Sequence, residues 1–172
     1  DEDIVYEQFL YTSNTFLEKK YINYELSSYA KNGFFSENNS GYWLRKKYIG
    51  IGPSAHSFDG KKRTWNVANN TKYINAINEG KNFFQSESLT KKDRYNEYIM
   101  TGLRTVWGIS VEYLNDNFGE QYKNHFIEKS KKYFDFDFLK KKNNIITTTV
   151  KGRFLADGIS SDLFVINGLK SL

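Results

Sequence analysis

The apolar positions near the start of the chain recur at helical spacing. Val5, Phe9, Thr12 or Ser13, and Phe16 share one face, and Lys19-Lys20 suits the C-terminal end of a helix dipole. The period then changes: Ile22, Tyr24 and Leu26 alternate, which predicts a strand half-buried on one face. Residues 31–41 are rich in Gly, Asn and Ser and read as a loop. Tyr48-Ile49-Gly50-Ile51 is short, apolar and followed by Gly52-Pro53, the pattern of a buried strand opening into the loop 52–57. Asn69-Asn70-Thr71 and Gly80 bracket a helix carrying Tyr73, Ile74 and Ile77.

After residue 85 the pattern becomes predominantly helical. Thr90 to Asp93 is a near-miss capping box, and Tyr95, Ile99, Gly102 and Val106 continue as a stripe. Ser110 can cap a short second helix, and Tyr122, Phe126, Ser130 and Tyr133 mark a third. Phe134, Phe136 and Phe138 alternate with Asp, which predicts a strand. A Lys-Asn-Asn turn follows, then a second strand over Ile145–Val150. A closing helix carries Phe154, Leu155, Ile159 and Leu163. The fold class is therefore α+β. The first part, helix–strand–loop–strand, looks like the end of a parallel α/β layer, and the second resembles a winged helix. A boundary near residues 82–88 separates domains over 1–85 and 86–172. Neither internal repeats nor low-complexity segments interrupt this reading.

Composition narrows the chemistry. Among 172 residues there are 13 Tyr and 14 Phe, an aromatic content of 17% that argues for a packed core. Cysteine is absent, which excludes disulfides, thiolate nucleophiles, Cys-ligated zinc and iron–sulfur ligation by this chain itself. Net charge is +5 and the isoelectric point near 9.1, with basic clusters at 45–47, 61–63, 129–132 and 140–142. These clusters are short enough to be solvated surface. No apolar run approaches the length of a membrane span, and Asp1-Glu2-Asp3 does not begin a signal peptide, so a cytoplasmic domain is the default expectation.

Five motifs carry a family resemblance. In order they are Tyr24 to Ala30 (YELSSYA), Ser36 to Trp43 (SENNSGYW), Tyr48 to Ser57 (YIGIGPSAHS), Gly102-Leu103-Arg104 with Gly108-Ile109, and Thr149 to Gly158 (TVKGRFLADG). Their order and spacing resemble the C-terminal part of the oxygen-independent coproporphyrinogen III oxidase-like radical S-adenosylmethionine proteins, in particular the HemW-type haem-chaperone branch. In that family an N-terminal partial (β/α) barrel carries a CxxxCxxC motif whose 4Fe-4S cluster cleaves S-adenosylmethionine. The resemblance implies that this chain supplies the last helix and strands of such a barrel, followed by a helical, winged-helix-like C-terminal domain. It also implies that Gly50, Gly52, Ser54, Ala55, His56 and Ser57 line the S-adenosylmethionine side of a pocket, with Asn38, Asn39 and Tyr42 on a haem side. Asn38 departs from the branch, which usually has His there; an amide is a poor ligand for haem iron. No metal-ligating set is expected within the chain, and catalytic residues are not identifiable.

Two activities compete inside this resemblance: decarboxylation of a porphyrinogen propionate, and haem binding and delivery, with the motifs favouring the second. The chain alone is expected to be inactive. Its expected partners are haem or a porphyrinogen and the barrel portion outside this chain, and the C-terminal domain could serve as a lid or homodimer contact. The alternative is a winged-helix nucleic-acid-binding module with a recognition helix over 119–133 offering Gln121, Lys123, Asn124 and Lys129. Glu120 and Glu128 on that helix count against it. His125 is expected at the surface, Arg153 and Asp157 as a weak pair one turn apart, and Glu25 as a polar contact facing the barrel interior.

Overall fold

The computed structural model describes residues 1–166. The helix α1 (Glu2–Glu18) is capped by Asp1, whose side chain accepts from the Asp3 N–H. The strands β1 (Ile22–Glu25) and β2 (Ser28–Ala30) form a tight antiparallel hairpin with an irregularity between Asn23 and Glu25. Then come α2 (Glu37–Trp43), β3 (His56–Phe58), β4 (Lys62–Asn66), α3 (Asn70–Asn78) and β5 (Phe84–Ser88). The second half comprises α4 (Lys91–Leu103), β6 (Ile109–Ser110), α5 (Val111–Phe118), α6 (Glu120–Asp135), β7 (Leu139–Lys142), β8 (Ile145–Thr148), α7 (Val150–Phe154) and α8 (Ala156–Leu163).

Two compact units share these elements. One comprises residues 1–40 together with the chain from Lys91 onward; the other comprises 41–90. In the first unit α1 packs on β1 and α7, so the opening segment joins the C-terminal helices. Its core is a continuous cluster that includes Tyr95, Ile99 and Leu103 of α4, Leu114 and Phe118 of α5, Phe126 and Tyr133 of α6, and Ile159 and Leu163 of α8. Leu139 and Ile146 bring in the three-stranded sheet, ordered β6-β8-β7. In the second unit β3, β4 and β5 form an antiparallel sheet in that order, with α3 between β4 and β5 in sequence.

The α+β class holds, and several local expectations are corrected. Strand pairing among the described residues is antiparallel throughout, and no sheet closes into a barrel. The parallel layer expected of the first part is not formed there; the connections within its hairpins are far shorter than a parallel crossover requires. The loop expected at 31–41 gives way at Glu37 to α2, started by Ser36, whose Oγ accepts from the Asn39 N–H. Residues 48–51 are not a buried strand: Tyr48 makes a single bridge to Phe58, while Ile49 and Ile51 are 84% and 88% exposed. No strand among the described residues lies along them to cover those side chains. The Phe-Asp alternation at 134–138 is not a strand either, because α6 runs on to Asp135 and Phe136 caps it. Val106 lies beyond the end of α4, and the closing helix breaks at Leu155 into α7 and α8. His125 is half-buried, with its ring edge-on to Tyr95, rather than at the surface.

Candidate functional site

Within the first unit, four of the five motifs meet in one polar network. Its centre is the β1–β2 hairpin. The Asn23 amide donates to the carbonyls of Ser28 and Glu25 and so fixes the turn between the strands. Glu25 is buried, and its carboxylate turns back into the same turn, accepting from the Ser28 hydroxyl at 2.8 Å and the Ser27 N–H at 3.2 Å. Its other oxygen lies 3.9 Å from the Arg104 guanidinium, which in turn pairs with Asp157 of α8. Arg153 of α7 donates from Nη1 to both the backbone and side-chain oxygens of Asn23. Arg153 and Asp157 are thus not a pair with each other. Each reaches a different, distant part of the chain. A buried carboxylate held by two hydrogen bonds and a nearby cation is a satisfied structural group, and none of these contacts leaves Glu25 exposed for proton transfer.

Asn39 on α2 joins the network, its amide donating to the Tyr24 hydroxyl at 3.4 Å and the Ser28 hydroxyl at 3.3 Å. Tyr24 is itself buried, stacked on Phe35 with ring centroids 4.8 Å apart and edge-on to Trp107. Asn39 therefore anchors the helix. Asn38, next to it, is exposed, and Tyr42 is half exposed with its ring edge against Tyr48. Of the three residues expected on a haem side, one is engaged in holding α2 and two face solvent.

The second unit contains the Gly-rich loop. Its backbone is largely satisfied from within: Gly50 N–H donates to the Ser57 hydroxyl, Gly52 N–H to the Tyr73 hydroxyl, and Ser54 N–H to the Val67 carbonyl. Asn66, buried in β4, donates its side-chain amide to the Gly52 carbonyl at 2.8 Å and its backbone N–H to Ala55. Gly50 is required by this folding-back, since a Cβ there would lie 2.1 Å from the His56 carbonyl oxygen. Gly52 is different. It adopts φ +101°, which favours glycine, and nothing lies within 4 Å of where its Cβ would be. Ser54 and His56 are exposed, and the His56 ring stacks at 6.3 Å on Trp65. The Ser57 hydroxyl and the Ala55 backbone are used by the loop's own bonds, while Ser54 and His56 are exposed and Gly52 has open space beside it.

Sequence reasoning missed Asn66 and Asn23, and it placed Tyr73 on its helix without the bond that Tyr73 accepts from Gly52. Asn66 and Asn23 are amides on strands, a placement that costs stability unless the amide is bonded. Among the described residues no cluster of His and carboxylates could hold a metal ion. No helix there is long and apolar enough to cross a membrane.

Comparison with known proteins identifies the class. Residues 89–155 match the HemN C-terminal domain family. The solved structure of coproporphyrinogen III oxidase (HemN) from Escherichia coli, a radical SAM enzyme, superposes with a TM-score of 0.66 at 16% identity, covering 91% of this chain and 40% of that one. At that identity the likeness is one of fold. More particularly, the chain is 28% identical over 137 residues to the haem chaperone HemW of Bacillus subtilis, covering 79% of this chain and 36% of that protein. It is 33% identical over 148 residues to HemW of Buchnera aphidicola subsp. Schizaphis graminum, covering 81% of this chain and 37% of that protein. The resemblance carried by the five motifs is borne out, and the nucleic-acid alternative is not favoured. The chain spans well under half the length of these relatives.

Proposed function

We propose that the chain is the C-terminal part of a radical S-adenosylmethionine-type protein of haem metabolism whose work is haem binding and delivery rather than porphyrinogen decarboxylation. The observation that carries this reading is α2: Asn39 pins the helix, while Asn38 and Tyr42 on it stay open to solvent. Similarity to haem chaperones over most of the chain supports it. In this reading residues 1–85 close the partial barrel and residues 86–172 form the winged-helix-like domain. The intact protein works in the cytoplasm.

The chain has no cysteine, so it does not fit a 4Fe-4S cluster, whose ligands would lie outside it. The loop fits S-adenosylmethionine better. The open flank of Gly52 allows close approach, and the exposed His56 face backed by Trp65 suits an adenine ring. S-adenosylmethionine supplies the radical chemistry when a reduced cluster is present; the loop's part is to bind and orient. Alone, the chain performs neither step.

Haem titration of the intact protein, followed in the Soret region, tests the reading. A saturable shift at micromolar haem is expected, and Asn38→His should tighten it by supplying an imidazole ligand. A spectrum that does not move, in either protein, removes haem delivery from consideration.

A further inference from the structure

We propose that β5 is an interaction edge to which a second copy of this chain adds its own β5, antiparallel and with Ser86 on the two-fold axis. Among the described residues β5 is paired on one side only, with β4, over five consecutive residues from Asn66↔Phe84 to Lys62↔Ser88 without a bulge. The flanking bonds fix the alternation: the Val67 N–H donates to the Phe83 carbonyl and the Leu89 N–H to the Lys61 carbonyl. Odd-numbered residues of β5 therefore bond to β4, and the backbone groups of Phe84, Ser86 and Ser88 point outward. The Phe84 N–H donates to the Asn82 side chain, whereas those of Ser86 and Ser88 have no partner among the described residues. All five side chains of the strand are exposed.

Two other edges are closed or defended. On its outer side β3 is bridged to Tyr48, and both hydrogen bonds of that pair are made. The β7 edge carries Lys140, Lys141 and Lys142, charges that repel an incoming strand. β5 has neither lysine nor proline. A second β5 fits there because the strand is complementary to itself. About Ser86, outward residues fall opposite outward residues: Ser86 meets its own counterpart, and Phe84 meets Ser88 of the second copy. Each Ser86 N–H then donates to the opposing Ser86 carbonyl, and each Ser88 N–H to the opposing Phe84 carbonyl. Gln85 stands opposite Glu87. Its Oε1 already accepts from Trp65 Nε1 at 3.2 Å, which leaves its NH2 to donate to that carboxylate. Glu87 keeps Arg63 at 3.6 Å within its own copy, so the seam gathers no uncompensated charge. A slip by one residue would set outward groups against inward ones and lose these bonds. A seam one strand long is small, and the dimer is accordingly weak and concentration-dependent.

Sedimentation of the 172-residue chain over a concentration series tests this pairing, in an Ile49→Lys/Ile51→Lys background so that exposed isoleucines do not drive association. A monomer–dimer equilibrium is expected. Ser86→Pro removes an outward N–H, an edge position that tolerates proline, and should weaken the dimer by roughly tenfold or more. Ser86→Lys sets like charges face to face and should weaken it too, leaving the backbone untouched. Because the chain has no cysteine, a single introduced Cys reports a single contact. Under mild oxidation Ser86→Cys should give a covalent dimer, since Cα atoms of such a pair lie about 5.5 Å apart. Ser88→Cys, which faces Phe84, should give little. A chain monomeric at every concentration, a dimer unmoved by Ser86→Lys, or equal cross-linking through positions 86 and 88 overturns the proposal. Neither haem nor S-adenosylmethionine is needed for the pairing, so its failure and that of the Soret titration are separate.

Discussion

At Gly152 the first turn of α7 presses against the chain entering β7 so closely that a Cβ would lie 1.9 Å from the Phe138 carbonyl oxygen. Backbone cannot yield as a flexible side chain can. Gly152→Ala should therefore destabilise the first unit by about 3 kcal/mol, at the upper end of overpacking costs. Gly158 lies inside α8 with open space within 4 Å of where an added methyl group would stand, so Gly158→Ala should stabilise by about 1 kcal/mol through helix propensity alone. Urea denaturation of both variants measures the contrast; similar shifts would mean that the close approach at Gly152 relaxes freely. The two glycines sit six residues apart in one motif, and only the packing tells them apart.

Between elements, α6 and α8 are latched at Asp162, which accepts from Lys132 Nζ at 2.8 Å and from the Tyr133 hydroxyl. The Lys132 hydrogen bond, followed by that of Tyr133, holds the Asp162 carboxyl below its ordinary value. A carboxyl depressed on folding contributes stability above its unfolded pKa and loses it as pH falls through the folded one. Asp162→Asn should thus lower stability modestly near neutral pH, with the gap to wild type closing below about pH 4. Denaturant titrations at the two pH values read this directly; a gap that persists in acid would point to lost packing instead of lost charge. Caps and stripes of this kind were legible in the sequence: Asn69 caps α3, Ser110 caps α5, and Phe126, Ser130 and Tyr133 are the buried side of α6. Local alternation misled at Phe134–Phe138, because the helical stripe continues through it and overrides a period of two. Burial misled at 48–51, because apolarity shows that a segment can be covered but not whether a neighbour covers it. The site was legible as motifs but not as contacts. Arg153 and Asp157 have the spacing of a helical pair, yet their partners lie 130 and 53 residues away, where local periodicity carries no information.

At the scale of the whole molecule, the +5 charge and the apolar exposure are unevenly explained. Ile49 and Ile51 stand out of the second unit with no described neighbour over them, and the proposed partial barrel would give them one. Ile49→Lys/Ile51→Lys should leave the thermal midpoint of this chain nearly unchanged, within about 0.5 kcal/mol in stability, because little is buried there to lose. The same change should reduce self-association in light scattering. A large loss of stability would show that the isoleucines already have a partner within the chain.

The bonds from Arg153 to Asn23 bear on the order in which the protein can assemble. They close a loop of 130 residues, whereas the β7–β8 hairpin closes one of about ten. Loop entropy alone makes the longer closure roughly 2 kcal/mol less favourable. During synthesis the β1–β2 hairpin must wait for the 130 residues between Asn23 and Arg153 before α7 can seal it, while residues 41–90 can pair among themselves far earlier. Strands β1 and β2 are therefore made well before they become secure, and a ribosome paused before residue 150 holds that hairpin still open to the wrong partner.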